Sequence, residues 1–278
     1  MKLPPFEFVQ PHTVAQAIDC LMQDEGEARV LAGGQSLLPM LALRVANPTT
    51  LVGLERIDAL NGAQIKGDVL VLGALTTHAM VEDGAVADVT AGMMRHVAAG
   101  IAWRPVRVRG TIGGSLAHAD PSADWPVALT ALGASVLVQG PEGQRRIPVE
   151  TLGEAAFSTA LQPGEVLIAI EVPVRAASMR WTYHKIARKS GEFADAIVAI
   201  VIDPASKQAR VVLGGLPAGP RRLEAVEKLL SDASIRHSAD FDRPWAERQL
   251  EAIDTTNDPV MQRIRATALY RAVREVLQ

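Results

Sequence analysis

The sequence predicts an α+β fold in two parts, with a boundary near residues 175–178. Short apolar segments alternate with amphipathic ones as far as Pro173, as mixed sheet and helix require. After about Ala176 the pattern changes to a pair of apolar strands followed by helical periodicities alone. The 278 residues are 48% hydrophobic and 21% charged, enough to bury one large core or two modest ones.

Phe6-Glu7-Phe8 reads as a short strand. Residues 13–23 read as an amphipathic helix with Thr13 as its N-cap and Val14, Ala17, Ile18 and Leu21 on one face. Ala28–Leu31 is a strand, residues 37–43 a helix with Pro39 in its first turn, and residues 50–54 another strand. Gln64-Ile65 and Val69–Gly73 pair around Lys66-Gly67-Asp68. Thr76 or Thr77 caps a helix through Val81, and a further helix is expected over residues 86–99. Ala123 to Leu132 reads as a helix, then residues 135–139 as a strand, a turn at Gly140-Pro141-Glu142-Gly143, and a strand over 166–172. Beyond the boundary, strands 196–202 and 209–213 form a hairpin, and 223–230, 245–253 and 260–276 read as helices.

Net charge is −3 and aromatics make up 4%, which argues against a nucleic-acid surface or a base-stacking platform. Cys20 is the only cysteine and reads as an inert residue of an apolar helix face. One thiol supports no internal disulfide and no Fe–S cluster, so metals for any redox chemistry are expected in other chains. The opening MKLPPFEFVQP has no apolar signal core, and no run of about 18 apolar residues occurs. A cytoplasmic protein without a membrane span is expected.

Two glycine-rich stretches carry the chemistry. They are Ala32-Gly33-Gly34-Gln35-Ser36-Leu37-Leu38-Pro39 and Thr111-Ile112-Gly113-Gly114-Ser115-Leu116-Ala117-His118-Ala119-Asp120-Pro121. Paired glycines permit positive φ and close backbone approach, and aligned peptide N–H groups cradle phosphate. Two such loops suggest a pyrophosphate held from both sides, as in FAD. Neither is a Rossmann fingerprint nor a P-loop. A structural reading gives Ser115 and Asp124 turn and capping duties, and a zinc reading of His118, Asp120 and Asp124 lacks a third or fourth good donor.

AGGQSLLP at 32–39, RGTIGGSLAHADPSAD at 109–124 and YHKIARKSG at 183–191 resemble the FAD-binding subunit of molybdenum hydroxylases, the xanthine dehydrogenase and aerobic carbon monoxide dehydrogenase medium-subunit family. The resemblance implies a two-subdomain FAD-binding fold of the vanillyl-alcohol-oxidase (PCMH) type over 1–176, split near residue 56, and a small α+β C-terminal domain over 177–278. It implies FAD as cofactor. Ala32, Gly33, Gly34, Gln35, Ser36 and Leu37 would wrap one side of the pyrophosphate. Thr111, Gly113, Gly114 and Ser115 would hold the other. Asp124 would serve the sugar-alcohol or ribose, Ile101 the adenine or flavin cleft, and Leu167 the adenine. Tyr183 and Lys185 would lie near the isoalloxazine ring, although larger relatives carry the lysine one residue earlier, at His184. Gln35 replaces a frequent His of the relatives. The implied partners are a molybdopterin-containing large subunit and a [2Fe–2S] small subunit, as a dimer of heterotrimers, with no catalytic residue and no metal in this chain.

Arg104, Arg107 and Arg109 form a cationic strip, read either as a docking face or as a solvated strand edge. Trp103, Trp125 and Trp181 either flank a flavin or fill a core, and His78 and His96 are expected to be structural. A self-sufficient flavin oxidoreductase on the same fold and a nucleotide-binding scaffold are the alternative functions.

Overall fold

A computed structural model describes residues 2–24, 26–204, 207–231 and 241–278, whose strands build three sheets and one two-stranded ribbon. In the first sheet β1 (Glu7–Val9) and β2 (Ala28–Leu31) flank β3 (Thr50–Gly53), all parallel. Parallel strands need crossover connections: α1 (Val14–Gln23) lies on the one from β1 to the far edge strand β2, and α2 (Leu37–Ala42) on the one from β2 back to its neighbour β3. The Thr13 hydroxyl accepts from the Gln16 N–H at 3.2 Å, capping α1 as its sequence predicts. Ala17 and Ile18 then bury against Val52 and Leu54.

The second sheet is antiparallel, in the order β4 (Ala63–Lys66), β5 (Val69–Gly73), β10 (Val166–Pro173), β6 (Ser135–Gly140), β7 (Gly143–Pro148). Its long excursion holds α3 (His78–Glu82), α4 (Met93–Ala99), α5 (Arg104–Arg107), α6 (Ile112–His118) and α7 (Asp124–Leu132). Past β7 come α8 (Val149–Leu152) and the ribbon of β8 (Gly153–Ala155) and β9 (Ser158–Thr159). The third sheet is β11 (Arg180–Ile186), β12 (Ala196–Asp203), β13 (Gln208–Gly214) and β14 (Arg221–Arg222), covered by α9 (Glu224–Ser231), α10 (Arg243–Leu250) and α11 (Pro259–Val276).

Strand β12 shows why its sequence is apolar without a break. Ala196, Val198, Ile200 and Ile202 face α9–α11, whereas Ile197, Ala199 and Val201 face the core shared with α7. Helix α7 is correspondingly buried all round apart from Pro126. It packs so closely on β13 that a Cβ at Gly214 would lie 2.3 Å from Val127 Cγ2.

Three expectations are corrected. Residues 86–92 are not helical, and α4 begins only at Met93. The Asp88 carboxylate accepts from the N–H groups of Thr90 at 2.8 Å and Gly92 at 2.6 Å, and Ala91 and Gly92 take positive φ. This local turn outcompetes the helix. The arginine strip is no strand edge: Arg104 and Arg107 lie on α5 and pair with Glu82, Arg104 also with Asp83. The second glycine stretch is a helix, not a loop, because Thr111 caps α6 and Gly113 and Gly114 fall inside it. Strand β11 carries the 183–191 motif's first residues and has no counterpart in the periodicity reading.

Candidate functional site

The two glycine segments meet. A Cβ at Gly33 would lie 2.0 Å from the Arg109 carbonyl oxygen, and one at Gly114 would lie 3.6 Å from Ala32 Cβ. Gly113 abuts the Ala74 backbone, where a Cβ would sit 2.6 Å from its carbonyl oxygen. Of the four glycines only Gly34 has positive φ, at 73°. Close packing, rather than the left-handed conformation expected from the paired glycines, therefore excludes side chains at the other three: against backbone at Gly33 and Gly113, and against the capping Thr111 hydroxyl, 2.7 Å from a Cβ, at Gly114.

The segments also differ in what they offer a ligand. Among the described residues, the N–H groups of Gly33, Gly34, Gln35, Ser36 and Leu37 have no acceptor within the chain. Those of Ile112 and Gly113 donate to Thr76 and Ala74 carbonyls, and those of Gly114 and Ser115 to Thr111. The first segment is thus a run of free donors suited to phosphate oxygens. The second approaches closely and offers fewer free donors, the Thr111 N–H and the Ser115 hydroxyl.

Both segments line one cavity of about 1130 Å³, at or above the roughly 300–1,000 Å³ usual for small-molecule sites. Residues 32–37, Ile101, Thr111, Gly113, Gly114, Ser115, Asp124, Leu167 and Lys185 all line it. Tyr183 does not, and reaches the site only through Asp124. A cavity of this volume, with free N–H groups at one segment of its wall and a buried charge pair at another, fits a dinucleotide such as FAD.

Asp124 is the first residue of α7 and only 5% exposed. Its Oδ1 accepts from the Tyr183 hydroxyl at 2.7 Å and its Oδ2 from Lys185 Nζ at 2.9 Å. Burial pushes the Asp124 carboxyl above its ordinary range, against the pull of Lys185 and Tyr183. Burial, and secondarily the Asp124 carboxylate, hold the Tyr183 phenol well above its usual value. Strand alternation settles which residue of the motif faces inward: His184 points the other way and pairs with Glu275 on α11.

Arg107 fixes the wall around Ile101, because its guanidinium donates to the Ile101 and Ala102 carbonyls at 2.9 and 3.0 Å while gripping Glu82. Gly191, at φ +84°, packs on that same turn, where a Cβ would lie 2.7 Å from the Ala102 carbonyl oxygen. The exposed Trp103 and Phe193 flank this end of the cavity. Trp125 is fully buried, and Trp181 donates to the Ala91 carbonyl at 2.8 Å. Sequence reasoning missed the wall from Phe157 to Gln162 and the segment from Glu192 to Asp195. Phe157 is held at φ +60° against the His118 ring, which no periodicity announces.

His78 also lines the cavity but is structural, accepting at Nδ1 from the Trp125 indole N–H at 3.0 Å. Burial, then the Arg107 charge, lowers its pKa from 6.5 to about 4. Between those values the unfolded chain takes up a proton that the folded chain refuses. Stability is therefore full above about pH 6.5 and declines as pH falls through about 4, by roughly 3 kcal/mol. Thermal melts from pH 7 to pH 4 should show this slope flattened in His78→Gln.

Residues 4–175 match the family of the FAD binding domain in molybdopterin dehydrogenase. The carbon monoxide dehydrogenase medium chain of Hydrogenophaga pseudoflava is 37% identical over 199 residues, covering 72% of this chain and 69% of that one. The nicotine 6-hydroxylase medium subunit of Paenarthrobacter nicotinovorans is 33% identical over 84% of this chain and 83% of its own length. Among solved structures, carbon monoxide dehydrogenase from Hydrogenophaga pseudoflava superposes with a TM-score of 0.91 at 31% identity, covering 99% of this chain and 98% of that one. Quinoline 2-oxidoreductase from Pseudomonas putida 86 superposes with a TM-score of 0.88 at 29% identity, covering 100% of this chain and 97% of that one.

Proposed function

The chain belongs to the FAD-binding medium-subunit family of molybdopterin dehydrogenases, and we propose on that premise that it is the electron-transfer subunit of a heteromeric molybdenum hydroxylase. The observation that carries the reading is the cavity itself, with five free N–H groups along residues 33–37 and the Asp124–Lys185 pair in its wall. Its cofactor is FAD, which when bound exchanges electrons singly or in pairs.

The protein's own part is binding and orientation. Residues 33–37 donate to the pyrophosphate, and the Ser115 hydroxyl approaches from the second segment. Leu167 offers an apolar surface to the adenine. Lys185, on the segment facing the isoalloxazine ring, supplies a fixed positive charge. The division into an FAD-binding part over 1–176 and a C-terminal part over 177–278 belongs to the same reading, and the second part completes the cavity through Lys185 and Asp195.

The proposed partners are a molybdopterin-containing large subunit, where substrate is hydroxylated, and a [2Fe–2S] small subunit that delivers electrons, together a dimer of heterotrimers in the cytoplasm. No helix among the described residues is long and apolar enough to cross a membrane. Purification of the tagged chain from its native cells should bring down two further subunits, with molybdenum and iron in the complex and one FAD per chain. Addition of the hydroxylated substrate without oxygen should bleach the flavin. A chain that takes up no FAD, or a flavin that partner subunits never reduce, overturns the proposal.

A further inference from the structure

β11 is the edge strand of its sheet, and the side chains of Trp181, Tyr183 and Lys185 alternate onto the face turned toward the first part of the chain. Each makes a polar contact there, yet of the three only Lys185 lines the cavity. A Lys ammonium has three donors. Nζ places one on Asp124 and one, at 3.4 Å, on the Gly100 carbonyl, which leaves a third.

A carboxylate turns easily about its last torsion, where the rotamer wells are broad. Without Tyr183, the Asp124 carboxylate would keep only Lys185 and its own backbone N–H and could turn to present either oxygen. A second donor on the other oxygen removes that freedom. We propose that Tyr183 is a positioning residue, whose hydroxyl holds one Asp124 oxygen so that the other aims the Lys185 ammonium into the cavity. The inference rests on the FAD reading above and assigns Tyr183 a role through Asp124 rather than a contact with the cofactor. Asp124, with both oxygens engaged, acts on the ligand chiefly by fixing this cation. A fixed cation favours the more negatively charged reduced flavin over the oxidised one.

The test compares the full-length chain, Tyr183→Phe, Asp124→Asn and the double variant, with FAD as the probe. FAD affinity is read by flavin fluorescence, and the flavin midpoint potential by redox titration. Circular dichroism establishes that each variant is folded. Tyr183→Phe should weaken FAD binding several-fold and lower the preference for reduced over oxidised FAD by up to about tenfold, a shift of ~30 mV to more negative potential for a two-electron couple. In the Asp124→Asn background the same substitution should add less than about twofold, because the group it acts through is gone. An unchanged potential in Tyr183→Phe, or an equal effect in both backgrounds, overturns the positioning role while leaving FAD binding intact. A parent chain that binds no FAD overturns both readings.

Discussion

Replacing Gly33 with alanine is expected to abolish FAD binding. The added Cβ would lie 2.0 Å from the Arg109 carbonyl oxygen and 2.9 Å from Gly110 Cα, and both obstacles are backbone. No rotamer change relieves such a contact, so one of the two segments must shift. Either shift misaligns the run of free N–H groups at residues 33–37 with the wall formed by Thr111–Ser115. Overpacking of this kind costs about 1–3 kcal/mol of stability, occasionally more. The loss of ligand binding is larger, because several donors must meet the phosphates at once. The purified Gly33→Ala chain should be colourless, and titration with FAD should show affinity reduced at least on the order of 100-fold. Gly67→Ala is the control: Gly67 has φ +61° with nothing within 4 Å of its Cβ position. It should cost about 1–2 kcal/mol and retain full flavin content. Comparable FAD occupancy in Gly33→Ala and the parent would contradict the assigned phosphate cradle.

That prediction also marks where the sequence was readable. The paired glycines stand out at once as positions of close approach, and 33, 113 and 114 all prove to be so. At Gly33 and Gly113 the physical reason is not local, because the atoms that exclude a side chain belong to residues 109–110 and 74. Burial periodicity was similarly informative about Val86, Val89, Met93 and Val97, which are all buried. It misread the conformation of Val86 and Val89, since an Asp88 side chain that satisfies two backbone N–H groups leaves the hydrophobic spacing unchanged, whereas Met93 and Val97 are helical as expected. Asp124, Tyr183 and Lys185 came from the family resemblance. Nothing in their spacing indicates that they converge, because they meet only when an edge strand from the C-terminal sheet docks on the first turn of α7. The Phe157 wall rests on a positive-φ residue tied by its N–H to Ala119, a contact that sequence pattern does not encode.

Asp254→Ala should be the most destabilising single change in the C-terminal part, and it should loosen the FAD site from a distance. Arg265 and Asp254 form a pair at 2.6 Å with side chains 4% and 2% exposed. Removing one partner of a buried pair costs about 3–5 kcal/mol, because the remaining charge stays desolvated. For a chain of this size that corresponds to a fall in melting temperature on the order of 10 °C. The same guanidinium donates to the Gly215 carbonyl at 2.6 Å. Gly215 in turn donates to the Pro121 carbonyl at 3.1 Å, and a Cβ on it would sit 2.6 Å from the Asp195 carbonyl oxygen. Arg265 therefore holds a turn wedged between Pro121 and Asp195, beside the cavity walls at Asp120 and Asp195. Without its carboxylate partner the arginine has reason to leave for water, and the turn loses its anchor. Release of FAD on heating, followed by flavin fluorescence, should shift downward together with unfolding followed by circular dichroism. The double replacement Asp254→Leu with Arg265→Met removes both charges and should recover most of the loss. If it melts as low as Asp254→Ala, the loss comes from packing at this site and the buried charge is not its cause.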